Sequence, residues 1–299
     1  MERGVMLSVQ WFPPSGNPPL QFDSDPYALV GIAGLTSTLA SPITQKGTGQ
    51  VGETLTAITV GPRVIGLVVE LATATETDFW TQRQALSAAF VQLPAATGTL
   101  PIMGTLRFSR VGFQDLDILA IPQAAPDIII KGPTFAECDL SFYCPYPFFK
   151  ETADQSALLQ AAGGFVFPLQ HPFSMPTYNV VSTVTNAGTV AAPPMIRIYG
   201  DCTTPTITNQ TTGATLALTG HILAGDYLEI ITDYGLKSIT YVTAAGVRSN
   251  AMSWLNIAGA TVPDMFWSLI PGLNTIGFAA ATNISGLARL YWRQRYSGL

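Results

Sequence analysis

Phe135-Ala136-Glu137-Cys138-Asp139-Leu140-Ser141-Phe142-Tyr143-Cys144 alternates with a period of two. Ala136, Cys138, Leu140, Phe142 and Cys144 point one way. Glu137, Asp139 and Ser141 point the other. One apolar and one polar face is the pattern of a half-buried antiparallel strand. Pro145-Tyr146-Pro147-Phe148-Phe149 terminates it. Working outward, Leu106 and Phe108 alternate with Thr105, Arg107 and Ser109, and Leu116 and Ile118 alternate with Asp115 and Asp117, which predicts a hairpin within 99–121. Further upstream, Arg63, Ile65, Leu67, Val69 and Leu71 share one face, with Val64 and Val68 on the other. Apolar residues on both faces predict a central, doubly covered strand.

One helix interrupts these strands, over Thr75–Phe90. Thr73-Ala74-Thr75-Glu76 has capping-box spacing, and Asp78 adds negative charge to the first turn. Phe79, Leu86 and Phe90 fall near one face, with Trp80 beside them. Before the strands, Val5–Phe12 and Tyr27–Leu35 also read as β. Thr36–Gln50 is polar, with Ser41-Pro42 and glycines at 47 and 49. It reads as a loop long enough to contact something.

Beyond Phe149 the character changes. Thr152–Pro176, with Ala161-Ala162-Gly163-Gly164, reads as a linker. Short strands then recur at β-sandwich spacing, near 178–185, 195–200, 205–209, 214–218, 226–232, 237–243, 251–257, 274–281 and 287–296. The fold class is therefore mainly β, in two domains over 1–160 and 161–299.

The chain has 299 residues, 47% hydrophobic and only 11% charged. So sparsely charged a surface suits a protein hidden in an assembly rather than a disordered one. The net charge is −5, with no basic run, so specific nucleic-acid binding is not expected. No apolar stretch approaches the roughly 20 residues of a membrane helix, and the first residues lack a signal-peptide h-region. Cys138 and Cys144, about 20 Å apart on one straight strand, cannot bridge. Together with Cys202 they are expected to be buried reduced thiols.

No catalytic template fits. His171 and His221 lie at metal-ligand spacing to no Cys, Asp or other His. Asp115 and Asp117 project from one strand face, but their alternation with Leu116 and Ile118 makes that a solvated face rather than an acid–base pair. Asp23-Ser24-Asp25 lacks the glycine and distal glutamate of a calcium loop. Phosphate-cradling and nucleophile-elbow motifs are missing. The expectation is no catalytic, cofactor-binding or metal site, and no enzyme. Trp254, Trp267 and Trp292 could instead form a sugar-stacking platform, although Trp267 and Trp292 read as core and Trp254 stays open. Arg289, Tyr291, Arg293 and Arg295 share a face that suits a protein contact or edge protection.

Two sets of residues resemble one family. In the second half they are Ala224-Gly225-Asp226-Tyr227-Leu228-Glu229-Ile230-Ile231-Thr232, then Asp264-Met265-Phe266-Trp267-Ser268-Leu269-Ile270-Pro271-Gly272-Leu273-Asn274, then Thr275–Ala279 and the closing Ala288–Leu299. In the first half they are Arg63-Val64-Ile65, Arg83-Gln84-Ala85-Leu86 and Cys144-Pro145-Tyr146-Pro147-Phe148-Phe149, with Cys144 where an acidic residue is expected. In order and spacing these resemble siphophage distal tail proteins. The resemblance implies an N-terminal β-sandwich-like domain with one helix and a hairpin, and a C-terminal galectin-like antiparallel sandwich. It implies a structural virion protein at the tail tip, assembled in the host cytoplasm. As a homo-hexameric ring it would join the tail tube protein to the tail tip hub protein, and hold a receptor-binding protein or touch a host-surface glycan. The competing reading is a stand-alone, lectin-like carbohydrate-binding β-sandwich module.

Overall fold

A computed structural model of the chain describes residues 7–36, 40–91, 102–159, 178–257, 265–283 and 286–299. His171, Asp264 and most of the expected linker lie outside the described residues. The chain forms two units. Unit 1 comprises Met1–Thr152 and the last four residues, Tyr296–Leu299; unit 2 is Ala153–Arg295.

Unit 1 contains β1 (Ser8–Phe12), β2 (Leu20–Gln21), β3 (Asp23–Ser24), β4 (Tyr27–Ala33), β5 (Ala40–Gln45), β6 (Thr54–Val60), β7 (Arg63–Ala72), α1 (Glu76–Ala89), β8 (Gly104–Ser109), β9 (Leu116–Pro122), β10 (Asp127–Gly132), β11 (Phe135–Cys144) and β12 (Phe149–Glu151). The main sheet runs β2-β1-β8-β9-β11-β7-β4-β3, with β10 added to β11 and β12 to β9. The alternation read in β11 is realised: Ala136, Cys138, Leu140, Phe142 and Cys144 are all buried. β7 is central, between β11 and β4. It is covered on one face only, because Val64 is 46% exposed while Ile65, Leu67, Val69 and Leu71 are buried. The double cover expected from Val64 and Val68 is thus corrected to a single one.

Helix α1 sits on the buried face. Phe79, Leu86 and Ala89 are buried, and Trp80, beside that stripe, is exposed. The cap lies two residues later than the capping-box spacing placed it. Thr75 is the N-cap, and its hydroxyl accepts from the Asp78 amide. Trp11 anchors the packing: its ring lies 4.8 Å from Phe142 and 6.4 Å from Phe90, and its indole N–H donates to the Ala89 carbonyl at 3.0 Å. That bond satisfies an indole that would otherwise be costly to bury, and one of the orphan carbonyls at the helix end.

Unit 2 contains β13 (Gln155–Leu159), β14 (Tyr178–Asn186), β15 (Met195–Tyr199), β16 (Cys202–Thr203), β17 (Thr206–Asn209), β18 (Ala214–Ala217), β19 (His221–Ile222), β20 (Tyr227–Ile231), β21 (Ser238–Val242), β22 (Arg248–Asn250), β23 (Gly272–Ala280), β24 (Thr282–Asn283) and β25 (Leu287–Trp292). One antiparallel sheet runs β13-β25-β15-β20-β21-β22 and a second β14-β23-β17-β18, with a small β19-β16-β24 sheet beside them. Ile196, Ile198, Leu228, Ile230 and Leu290 of the first sheet meet Val184, Ile207, Leu216, Ile276 and Phe278 of the second in one core. Two expectations need correction. Gln155–Leu159, read as the start of a linker, is an edge strand paired with β25. Residues 251–257 are not a strand; Met252–Trp254 is a 3-10 turn that follows β22.

Candidate functional site

The region read as a long contact loop holds an antiparallel hairpin. β5 and β6 pair with each other and form a sheet of their own. Every residue of both strands is exposed. Ile43, Leu55, Ile58 and Val60 are about half exposed, and Val51 at the tip is fully so. Gly47 does open the turn at the hairpin's tip, where its carbonyl accepts from the Gln50 amide, but Ser41-Pro42 lies inside β5, and β-branched Ile43, Thr44, Thr54, Thr56, Ile58, Thr59 and Val60 favour extended backbone.

Arg63 fixes the base of this hairpin. It lies three residues after β6 and is 5% exposed. Its guanidinium donates to the Gly34 and Thr36 carbonyls at 2.8 and 2.9 Å, so it ties the entering stem to the leaving one. It also donates to the Ser297 carbonyl and lies 4.7 Å over the Phe149 ring. Burial lowers its pKa, while nearby Cys144 raises it. Gly34 adopts a φ of +86° directly against Val64, where a Cβ would fall 2.1 Å from the Val64 carbonyl oxygen. The chain end is held in the same place. The Tyr296 hydroxyl donates to Glu151 at 2.7 Å, and the Leu299 amide to the Leu35 carbonyl at 3.0 Å.

The residues weighed for chemistry take structural positions. Asp117 forms a two-bond ion pair with Arg107 at 2.8 and 3.0 Å, while Asp115 gives its carbonyl to the Thr152 amide. Asp23 accepts from Ser8, Gln21 and Ser24. Burial pushes its pKa up, but the hydrogen bonds from Gln21, Ser8 and Ser24 together hold it below the ordinary value. His221 meets Asp201 at 2.7 Å on the surface. Burial pushes the Cys138, Cys144 and Cys202 thiols up to about 11, about 12 and about 11, so all three are protonated at neutral pH. Among the described residues no group of three His, Cys, Asp or Glu could hold a metal.

Trp267 and Trp292 are core residues, as read. Trp254 is half-buried and packs on Gly220, where a Cβ would fall 2.0 Å from its ring, and on Tyr241 at 5.2 Å. The three indoles do not form one exposed platform. The expected Arg289–Arg295 stripe also splits. β25 ends at Trp292; Arg293 pairs with Asp154 and Arg295 with Asp233. Only Arg289 and Tyr291 remain on the strand's outer face.

The two sequence signatures of the second half are turn locks. In Pro271-Gly272-Leu273-Asn274, Gly272 has a φ of +92°. The buried Asn274 side chain accepts from the Ile270 amide at 3.0 Å and donates to the Ile270 and Gly272 carbonyls at 2.7 and 3.1 Å. In Gly225-Asp226, Gly225 has a φ of +85°. Asp226 accepts from the Ala244 amide at 2.7 Å and from the Tyr241 hydroxyl. Both are positions where backbone polar groups inside a sandwich need a partner.

Residues 187–296 match the family model for the siphovirus-type tail component, C-terminal domain. The crystal structure of Dit from SPP1, described as a paradigm of the hub adsorption apparatus of phages infecting Gram-positive hosts, is similar with a TM-score of 0.64. The alignment covers 97% of this chain and 98% of that one at 14% identity, which establishes a fold shared end to end. Chains of the phage P2 baseplate in its activated conformation, with calcium and with strontium, give TM-scores of 0.47 at 8% and 9% identity, covering 95% of this chain and 97% of theirs. No curated protein matches the sequence.

Proposed function

We propose that the chain is a siphophage distal tail protein, a structural component of the phage tail, and that its copies close into a ring; the match of residues 187–296 to the tail-component family model and the fold shared with SPP1 Dit support this reading. The observation that supports the ring is the bare β5–β6 hairpin. A two-stranded hairpin is marginal in water by itself, and strands that expose Ile43, Leu55, Ile58 and Val60 among threonines invite pairing. A second copy of unit 1 is the cover we assign to it. A head-to-tail contact, in which the hairpin of one copy lies on a different patch of the next, generates a ring when the rotation closes. The sparse charge of the chain suits buried interfaces of this kind.

The hexameric count comes from the family resemblance. In the same reading the 1–160 half builds the ring, between the tail tube protein and the tail tip hub protein. The 161–299 half projects from it, to hold a receptor-binding protein or to touch the host surface. The protein has no catalytic role in this scheme. Light scattering coupled to size exclusion tests it. A hexamer has six times 31.8 kDa, about 191 kDa. A full-length protein that stays monomeric and binds a neutral glycan supports the lectin-like module instead.

A further inference from the structure

The outer face of the six-stranded sheet in unit 2 carries a cluster that the ring does not use. Register places Arg197 opposite Glu229 on one side and Arg289 on the other, with Tyr199 opposite Tyr227 and Met195 opposite Tyr291. Arg197 donates through Nε and Nη2 to Glu229 at 3.0 and 2.8 Å. Arg248, from β22, donates to the other oxygen of the same carboxylate. The Arg197 guanidinium carbon lies 5.5 Å from the ring centres of both Tyr227 and Tyr291, and Tyr199 lies 5.5 Å from Tyr227 at a 37° tilt. Burial pushes the Tyr291 hydroxyl up, but hydrogen bonds to Arg289 and Tyr199 and the charges of Arg289 and Arg197 outweigh it and hold its pKa below the ordinary value. The side chains are thus fixed before any ligand arrives.

We propose that this face binds an acidic polysaccharide. Two guanidiniums, Arg197 and Arg248, bond the one carboxylate and a third, Arg289, lies beside Arg197, so the cluster is cationic on a chain whose net charge is −5. The favoured ligand carries negative charge and meets a local potential opposite to that of the whole protein. Three half-buried tyrosines across three adjacent strands give amphipathic rings that take the apolar faces of sugar units at low entropic cost. Ser156, Thr240 and Asn250 on the same face add hydroxyl and amide partners. Among the described residues the face carries one large exposed aliphatic, Leu158 at the β13 edge, which is 41% exposed. The negative group is a phosphate or a uronate carboxylate; either accepts the forked donors of Arg248 and Arg289.

This inference stands apart from the ring, so it is tested on whatever oligomer the full-length protein forms. Affinity electrophoresis is run in gels containing polygalacturonate, a poly(glycerol phosphate) polymer, or neutral dextran. The protein is expected to be retarded by at least one anionic polymer and not by dextran; which one retards it identifies the acidic group. Arg248→Gln, at a position whose side chain is 54% exposed, is expected to weaken binding at least tenfold while the fold stays intact. Tyr291→Ala is expected to do the same. Arg110→Gln, which removes an equal charge from unit 1, is expected to change it less than twofold. Retardation by neither anionic polymer, retardation by dextran, or equal weakening by Arg110→Gln overturns the proposal. So does a face that instead captures another purified tail protein and loses it in Arg248→Gln.

Discussion

The β5–β6 hairpin of unit 1 and the outer sheet face of unit 2 are both exposed, and they are opposite kinds of surface. The hairpin presents Ile43, Leu55, Ile58 and Val60, with no layer beneath them among the described residues. The sheet face presents tyrosines and arginines held by a carboxylate that is itself 7% exposed, over a full sandwich core. The first is incomplete until something covers it. The second is complete as it stands, with its side chains already ordered for the anionic sugar units proposed above. The hairpin is an apolar projection, whereas the sheet face gathers three arginines around one carboxylate and is cationic.

Substitutions at the two sites are expected to differ in what they damage. The largest stability effect falls at the hairpin base. Arg63→Ala leaves the Gly34, Thr36 and Ser297 carbonyls without their donor, and is expected to cost about 3 kcal/mol in denaturant unfolding. It also frees the hairpin stems, so amide exchange at 34–36 and 61–63 is expected to rise. A loss below about 0.5 kcal/mol, the size of an ordinary surface change, means the clamp does not define the hairpin.

Next comes the carboxylate of the sheet face. Burial raises the Glu229 pKa, but hydrogen bonds from Arg248 and Arg197 and their charges more than offset it, so the folded value lies below the ordinary 4.5. A depressed carboxylate stabilises the fold above its unfolded pKa, and that contribution is lost as pH falls through the folded one. Glu229→Gln is expected to cost about 1–3 kcal/mol near pH 7. It is also expected to lose less stability than the wild type between pH 5 and acid unfolding, measured by urea denaturation across that range. Parallel pH curves contradict the assignment.

Smaller effects belong to the pairs at the edges. Arg293→Ala removes an exposed pair with Asp154 and is expected to change stability by no more than about 0.5 kcal/mol. The three thiols are expected to be slow to react in the native protein and to titrate fully on denaturation without reductant, because burial keeps each protonated.

The same contrast explains what could be read from residues alone. β7, β8, β9 and β11 announce themselves because each lays one face on a core, and a core forces alternation. The helix is legible from Phe79, Leu86 and Phe90 for the same reason. β5 and β6 have no buried face, so nothing imposes a period on Ala40–Gln45, and Ser41-Pro42 reads as a break. Thr75 competes with Thr73 for the cap on spacing alone; only the Asp78 amide decides. β13 was hidden by the glycine- and proline-rich residues after it. The cluster around Arg197 could not be seen, because Arg197, Glu229, Arg248 and Arg289 are far apart in sequence and meet only through strand order. Asn274 and Asp226 were visible as signatures, but their work as turn locks needed the hydrogen bonds.

The central claim is that the bare hairpin is covered by another copy of the chain. Its most direct test is the mass of full-length protein by light scattering over a range of concentrations, beside Ile43→Asp/Ile58→Asp. Both substitutions lie on exposed positions, so unfolding stability is expected to move by less than about 1 kcal/mol. The wild type is predicted at six times 31.8 kDa, about 191 kDa, and the variant at the single-chain mass of 31.8 kDa. A wild type that stays monomeric throughout, or a variant that keeps the wild-type mass, contradicts the account.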